Sequence, residues 1–306
     1  MNTILSSEYI GITSLPEIEK TDSYFKLENT LKMLYEYYKK NRDTDKYFPE
    51  MPIYKYMQGV DDKHTDWNYI AGKDMDFLLE SFKQNWSRIN SDNSSKYWYF
   101  VNVQHEEKVF ILDAVKIYVS VIGNAVKDLF SGAIKEMLLK AKYSFDAKIS
   151  KYVRKDTMCF WIHGDDFSVL EDYFSCKQEL LATSLEFIPY RNKLGVCREL
   201  SDNSYNHQIA ILITDYFRSL PLDSKVSLVQ MYSFFLDAWL GKHSCEPDKY
   251  SFMDAQSLIV ILEILDVLLD RHSLTDNHVL LSSDQKFWRP LYKCKNWEEY
   301  NELCKC

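Results

Sequence analysis

The sequence is poor in glycine and proline, and it lacks the short motifs that define the large enzyme classes. Only 8 Gly and 7 Pro occur among 306 residues, which excludes a collagen-like chain and disfavours a low-complexity or disordered one. It contains no Walker A motif, no GxGxxG, no HExxH, no GxSxG and no HRD with DFG. Nucleotide-driven, dinucleotide-dependent, zinc-protease, hydrolase and kinase activities are therefore disfavoured.

Cysteine pairs and histidine pairs are also missing. The seven cysteines form no CxxC pair and are odd in number, which is typical of a reducing compartment, so we expect a cytoplasmic protein. The seven histidines include no pair at helical i, i+4 spacing. Because a closed metal site needs several converging ligands, we expect neither a metal site nor a cofactor.

Long apolar runs are absent. The first residues show no positively charged segment followed by an apolar stretch, and the most apolar segment, 257–269, is interrupted by Glu263 and Asp266. That segment is shorter than the ~20 residues that span a bilayer. We therefore expect no secretory signal, no spanning helix and no membrane partner.

The charge balance is acidic. The 37 basic and 45 acidic residues give a net charge of -8, which opposes the basic face of a nucleic-acid-binding protein, so we expect no nucleic-acid partner. Hydrophobic residues make up 46% of the chain, with 22 Tyr and 17 Phe among them. This is enough apolar material for the core of one large domain or two smaller ones.

The order of patterns along the chain is helices, then strands, then helices. Apolar residues at helical spacing predict helices over 24–40, 74–90, 124–141, 165–183, 205–218, 226–240 and 253–271. Alternating or β-branched runs predict strands over 97–103, 115–121, 145–151 and 157–163, with a short strand at 185–188. We therefore predict an α+β fold, a small and mainly antiparallel sheet flanked by N- and C-terminal helices.

These patterns also suggest boundaries. We expect an N-terminal helical region over 1–95, a central sheet region over 96–200 and a C-terminal helical region over 201–306, packed as one compact unit. Two of the predicted strands, 115–121 and 145–151, carry Lys116 and Lys148 on their polar faces.

The aromatic run Trp98 to Phe100 has one basic neighbour, Lys96. Base stacking usually occurs within a basic surface. We therefore assign this run to the sheet core.

Cationic residues are expected around the predicted sheet. They are Lys116, Lys148, Arg154, Arg191, Lys193 and Arg198. The last three precede a helix that Ser204 is suited to cap, because its hydroxyl can accept a first-turn N–H. If several cations line one concavity beside this helix N-terminus, the site suits a phosphate or carboxylate ligand. Taken alone, each cation is better explained by a solvated charge or a surface salt bridge.

A series of short motifs runs through the centre of the chain. A strand begins with Lys116-Ile117-Tyr118, Phe-x-x-Lys follows at 145–148, and Arg-x-Asp at 154–156. A loop containing Gly195 and a helix beginning Ser204-Tyr205-Asn206 complete the series. Together these motifs resemble the HopA1-type effector family, which also occurs in class V lanthipeptide and thioamitide pathways.

The resemblance implies a lyase. Relatives in those pathways act after a kinase-like partner has phosphorylated Ser or Thr of a precursor peptide, and they eliminate phosphate to leave dehydroalanine or dehydrobutyrine. The bacterial effector relatives are associated with host interaction instead. The expected partners are therefore a phosphorylated precursor peptide and a kinase-like protein.

Elimination needs cations for the departing phosphate and a base for the Cα proton. The candidates for phosphate binding are Lys116, Arg154, Arg191, Arg198 and Ser204. Lys148 is the first candidate for the base, with Tyr205 or His207 as the substitute, and Asp156 is expected to orient a cation. The structural alternatives are a solvent-exposed Lys148 and an Arg154–Asp156 pair that only stabilises a turn.

Three functions therefore compete. The first is a metal-independent phosphoserine/phosphothreonine lyase. The second is a non-catalytic, effector-like protein that binds a peptide or protein partner in the same concavity. The third is a hydrolase, which would leave a hydroxyl group where the lyase leaves an alkene.

Overall fold

The described part of the chain divides into two units. The computed structural model describes residues 20–43, 47–59, 80–81, 89–92, 97–105, 114–123, 125–152, 154–198, 204–245 and 252–268, with residues 95 and 107. Described residues within 57–185 and 190–197 form the sheet unit, and those within 1–56, 186–189 and 198–306 form the helical unit.

The sheet unit contains eight strands. They are β1 (Ile89–Asp92), β2 (Trp98–Val103), β3 (Ala114–Val121), β4 (Phe145–Ser150), β5 (Met158–His163), β6 (Leu181–Ala182), β7 (Tyr190–Arg191) and β8 (Leu194–Cys197). Their order is β1-β2-β4-β5-β3-β8-β7, and β6 pairs with β3. All of these pairings are antiparallel. The predicted α+β class, with an antiparallel sheet and helices towards both ends of the chain, is confirmed.

One face of the sheet is apolar and packs against two helices of the same unit. The helices are α3 (Val126–Lys140) and α4 (Phe167–Ser175). Ile117, Ala147 and Phe160 lie beside one another in the register of β3, β5 and β4, and all three are fully buried. This face forms one hydrophobic core with the apolar stripes of α3 and α4.

The opposite face of the sheet carries the alternate residues of each strand. We call it the cationic face, and its central members are Trp98, Phe100, Asn102, Lys116, Tyr118, Asp146, Lys148, Cys159 and Trp161. They share a face because residues opposite each other in a ladder point to the same side of a sheet.

The last part of the sheet differs from the prediction. The helix predicted over 165–183 ends at Ser175, and the strand predicted at 185–188 is wrong. The segment before Ser204, expected to be a loop, contains the β7–β8 hairpin. Its two central residues, Asn192 and Lys193, have φ angles of 49° and 61°, which is the conformation that a two-residue type I′ turn requires.

The beginning of the sheet also differs. The helix predicted over 74–90 lies mostly outside the described residues, but its last two positions belong to β1, which begins at Ile89. The segment between the first two predicted helices contains α2 (Met51–Gln58). This eight-residue segment, MPIYKYMQ, is too short for helical spacing of its apolar residues to predict a helix.

The helical unit contains four further helices. They are α1 (Asp22–Asn41), α5 (Tyr205–Ser219), α6 (Leu228–Cys245) and α7 (Phe252–Leu268), and α2 begins in the same unit. The hydroxyl groups of Thr21 and Ser204 cap α1 and α5, each accepting a backbone N–H at 3.2 Å. The predicted cap at Ser204 is thus confirmed. Tyr35 of α1 packs against Phe217 of α5, with ring centroids 5.0 Å apart. None of the helices in the described residues is long and apolar enough to cross a membrane.

Candidate functional site

Lys116 lies between two aromatic rings on the cationic face. In the register of β3 and β5 it is opposite Trp161. Its Nζ atom lies 4.6 Å from the Trp161 ring centroid and 4.9 Å from that of Tyr118. Only 1% of Lys116 is exposed, so its ammonium group is surrounded by protein atoms and contacts very little water.

Lys148 lies between two tryptophans. Its Nζ atom is 4.2 Å from the Trp98 ring centroid and 4.8 Å from that of Trp161. Trp161 therefore contacts two lysines, because β5 lies between β3 and β4 in the sheet. The residue is half-buried.

Arg154 extends the same arrangement from the turn between β4 and β5. Its guanidinium carbon lies 4.4 Å from the Trp98 ring centroid. Two of its nitrogens donate to the two carboxylate oxygens of Asp156, with a distance of 2.9 Å from Nη2 to Oδ2. The two side chains are 7% and 5% exposed. The Arg154–Asp156 ion pair is therefore present, and the orienting role of Asp156 stays a prediction beside that of a pair that only stabilises the turn.

These contacts form a continuous series, which we call the cation–aromatic row. Its members are Arg154, Trp98, Lys148, Trp161, Lys116 and Tyr118. Cations and rings alternate along it. Trp98 and Trp161 each contact two cations. These contacts restrict the cationic side chains to defined positions before any ligand binds.

A buried thiol shows that the charges of the row lie close together. Cys159 is opposite Lys148 and Tyr118 in the sheet register. Burial raises its pKa to about 11, while Lys148, Lys116 and Arg154 act to lower it and Asp156 acts to raise it. All four charged groups are thus within electrostatic reach of one sulfur atom.

The cationic face opens towards β2 and the start of β4. Cys159 and Tyr118 are buried, whereas Phe100 is 36% exposed and Asp146 is exposed. Lys148 lies at the transition between the buried and the exposed parts. A ligand that approaches from this edge therefore meets Lys148 before it meets Lys116.

Arg191 is not part of this arrangement. Its Nε and Nη2 atoms donate to the carboxylate of Glu171 in α4 at 2.8 and 3.1 Å. Its residue partner in the β7–β8 ladder is Leu194, which belongs to the apolar core. Arg191 therefore points to the helix-covered side of the sheet, and the structure does not bring it to the cationic face.

The remaining predicted residues belong to the helical unit. The Nε2 atom of His207 lies 3.1 Å from Oε1 of Glu50. The centroid of the His207 ring is 5.0 Å from that of the Tyr54 ring. The Tyr54 hydroxyl is 3.4 Å from Ser204 Oγ. Four polar groups thus surround the N-terminus of α5.

Two other predicted residues of that unit are buried. Tyr205 is fully buried, and the backbone carbonyl of Arg198 accepts a hydrogen bond of 3.2 Å from Gln256. The roles proposed for Arg198, Ser204, Tyr205 and His207 stay predictions. In the part of the chain that the structure describes, no group of three His, Cys, Asp or Glu residues is placed to hold a metal ion.

The sequence-based interpretation missed the role of the two tryptophans. It placed Trp98 and Phe100 in the sheet core, but only Tyr99 of that run is in the core. Strand alternation could have shown this, because Trp98 and Phe100 lie on one face of the strand and Tyr99 lies on the other. The sequence analysis gave Trp161 no role, although it lies on the same face of β5 as Cys159.

The comparisons with known proteins concern the fold. No protein-family model matches the chain, and no curated protein matches it. Among solved structures, an effector protein from Pseudomonas syringae pv. tomato strain DC3000 matches with a TM-score of 0.45 and 11% identity, over 75% of this chain and 97% of that one. An effector protein from Pseudomonas syringae pv. syringae strain 61 matches with a TM-score of 0.42 and 10% identity, over 69% and 94% of the chains. Membership of the HopA1-type family and lyase activity stay predictions.

Proposed function

We propose that this protein binds a phosphorylated serine or threonine of a peptide on the cationic face and eliminates its phosphate. The observation that supports this function is the cation–aromatic row, in which Lys116, Lys148 and Arg154 are held on one face of the sheet by the tryptophans between them. A peptide phosphate carries close to two negative charges at neutral pH. Lysine and arginine groups in a cluster are its usual protein ligands.

The two cations on either side of Lys148 in the row are the most buried ones. Lys116 is 1% exposed and the Arg154 side chain 7%. Charge interactions are stronger where water is excluded. A phosphate bound between these two cations therefore gains more than it would from lysines on an open surface.

The tryptophan rings contribute in a different way. They keep the ammonium and guanidinium groups in place, so less side-chain entropy is lost when a phosphate binds. Their half-buried edges also offer apolar area to the peptide around the phosphorylated residue. The row thus suits a phosphate attached to a peptide better than a free inorganic ion.

Elimination requires a base, and we assign this role to Lys148. As a neutral amine it takes the Cα proton, and the electron pair of the C–H bond forms the Cα=Cβ double bond. The Cβ–O bond breaks, and its electrons leave with the phosphate. Lys116 and Arg154 neutralise the departing charge.

The test is to incubate the full chain with peptides that carry phosphoserine or phosphothreonine and to follow their masses. Loss of phosphoric acid, leaving an alkene, is expected. Lys148→Arg fixes a permanent cation between the rings and has no proton acceptor. Peptide binding should persist in this variant, while the elimination rate falls by about a hundredfold or more.

The matched control is Lys177→Arg, because Lys177 Nζ also lies over an aromatic ring, 3.8 Å from the Tyr173 centroid at the end of α4. It should change neither binding nor rate. Binding without a mass change would favour the non-catalytic function, and a product with its hydroxyl restored would favour a hydrolase. A full elimination rate in Lys148→Arg would remove Lys148 as the base.

A further inference from the structure

The open edge of the cationic face carries a negative charge beside the row. Asp146 is exposed and accepts a hydrogen bond from the side-chain amide of Asn102. In the sheet register it lies opposite Asn102 on β2 and Trp161 on β5. The carboxylate of Asp146 therefore belongs to the same face as Lys148.

The spacing between Asp146 and Lys148 equals the repeat of an extended peptide. The two residues are separated by one position on β4. Residues at this separation in a strand point to the same side and lie roughly 6.5 Å apart. A peptide that follows β4 in an extended conformation therefore places two of its own side chains, also separated by one residue, over these two groups.

The charges of the cationic face determine which of the two peptide side chains lies over Asp146 and which lies over Lys148. A phosphate beside Lys148 is attracted to Lys116 and Arg154, which flank Lys148 in the row, and is repelled by Asp146. A lysine or arginine of the peptide has the opposite preferences. Phe100, directly opposite Lys148 on β2, offers an exposed apolar surface beside both positions. The site therefore distinguishes the two ends of a short motif.

We infer that the site selects peptides with a basic residue two positions from the phosphorylated residue, and that Asp146 is the residue that determines this specificity. The inference rests on the proposed function, because it takes the phosphorylated residue to lie over Lys148. It deepens that function by naming the substrate class, a phosphopeptide with a lysine or arginine at the second position from phosphoserine or phosphothreonine.

The test compares two peptides that differ only at the positions two residues before and after one phosphoserine. One peptide carries lysine at both positions and the other carries glutamate. The native chain is expected to bind the lysine peptide about fivefold more tightly, as an exposed charge pair allows. Asp146→Lys should reverse this preference, and Asp146→Asn should abolish it.

The matched control is Asp172→Lys, which makes the same charge change at an exposed position of α4 and should leave the preference as in the native chain. Equal affinity of the native chain for the two peptides, or an unchanged preference in Asp146→Lys, would overturn the inference. If phosphopeptides are still bound or converted in that case, the proposed function stands. If neither peptide is bound or converted by the native chain, both the inference and the proposed function fail.

Discussion

Lys116 and Trp161 lie opposite each other on β3 and β5, and the lysine Nζ atom is 4.6 Å from the centroid of the tryptophan ring. An ammonium group that is 1% exposed has lost most of its hydration, which costs free energy unless other contacts replace it. Rings on two sides replace part of it. The charge at this position is therefore expected to matter more for ligand binding than for folding.

Replacing Lys116 by methionine separates these two effects. Methionine has similar length and no charge, so the free energy of unfolding should stay the same or rise by about 1 kcal/mol. Phosphopeptide affinity should fall by about tenfold or more, because a charge-assisted contact to the phosphate is lost. Urea unfolding and fluorescence anisotropy measure the two quantities. A large loss of stability with unchanged affinity would make Lys116 a structural residue only.

Asp156→Asn tests the ion pair with Arg154. The substitution keeps the shape of the side chain but removes the charge that faces a nearly buried guanidinium group. We expect the free energy of unfolding to fall by about 2 to 3 kcal/mol, because Arg154 then remains charged without its carboxylate. Asp165→Asn, at an exposed position, is the control and should change stability by less than about 0.5 kcal/mol. A similar small change in both variants would contradict the prediction.

Cys159 predicts a decline of stability in alkaline solution. Burial raises its pKa to about 11, above the ordinary value of 9.0. As the pH rises through this interval, the thiol of the unfolded chain loses its proton first, so unfolding becomes more favourable. The contribution of Cys159 is complete below about pH 9 and is lost as the pH passes about 11, and it amounts to roughly 3 kcal/mol.

Cys159→Ser provides the comparison, because a hydroxyl does not ionise in this range. The stability difference between the native chain and this variant should shrink as the pH rises from about 8 to about 11. A constant difference across the interval would show that the thiol titrates as it does in the unfolded chain.

We expect that only glycine fits at position 132 of α3, because the side chain of Tyr173 occupies the space of a Cβ atom. A Cβ atom at this position would lie 2.0 Å from the hydroxyl oxygen of Tyr173. Gly132→Ala should therefore lower the free energy of unfolding by about 1 to 3 kcal/mol, although alanine is the better helix former. In a Tyr173→Ala background the same substitution should instead raise stability by about 1 kcal/mol. Thermal unfolding of the four chains measures this, and the same sign in both backgrounds would refute the contact.

Prediction from sequence succeeded where the local pattern was strong. The strict alternation in 115–121 and the helical spacing in 124–141 correspond to β3 and α3 within one or two residues. It failed at the β7–β8 hairpin, because the turn is formed by Asn192 and Lys193 and lacks the glycine that usually marks such turns. It also extended α4 too far, since Leu181 leaves the helical path to pair with Val121 of β3.

Alternation and helical period are properties of the backbone itself, so the sequence alone determined that Lys116 and Lys148 stand on polar sides of their strands. It could not determine how many faces of a strand become buried, and Lys116, Tyr118 and Ser120 are buried although their strand alternates. The order of strands decided the rest. β5 lies between β4 and β3, which puts Trp161 between two lysines, while the β7–β8 pairing turns Arg191 towards Glu171. Such neighbours depend on contacts between distant parts of the chain, and no local periodicity specifies them.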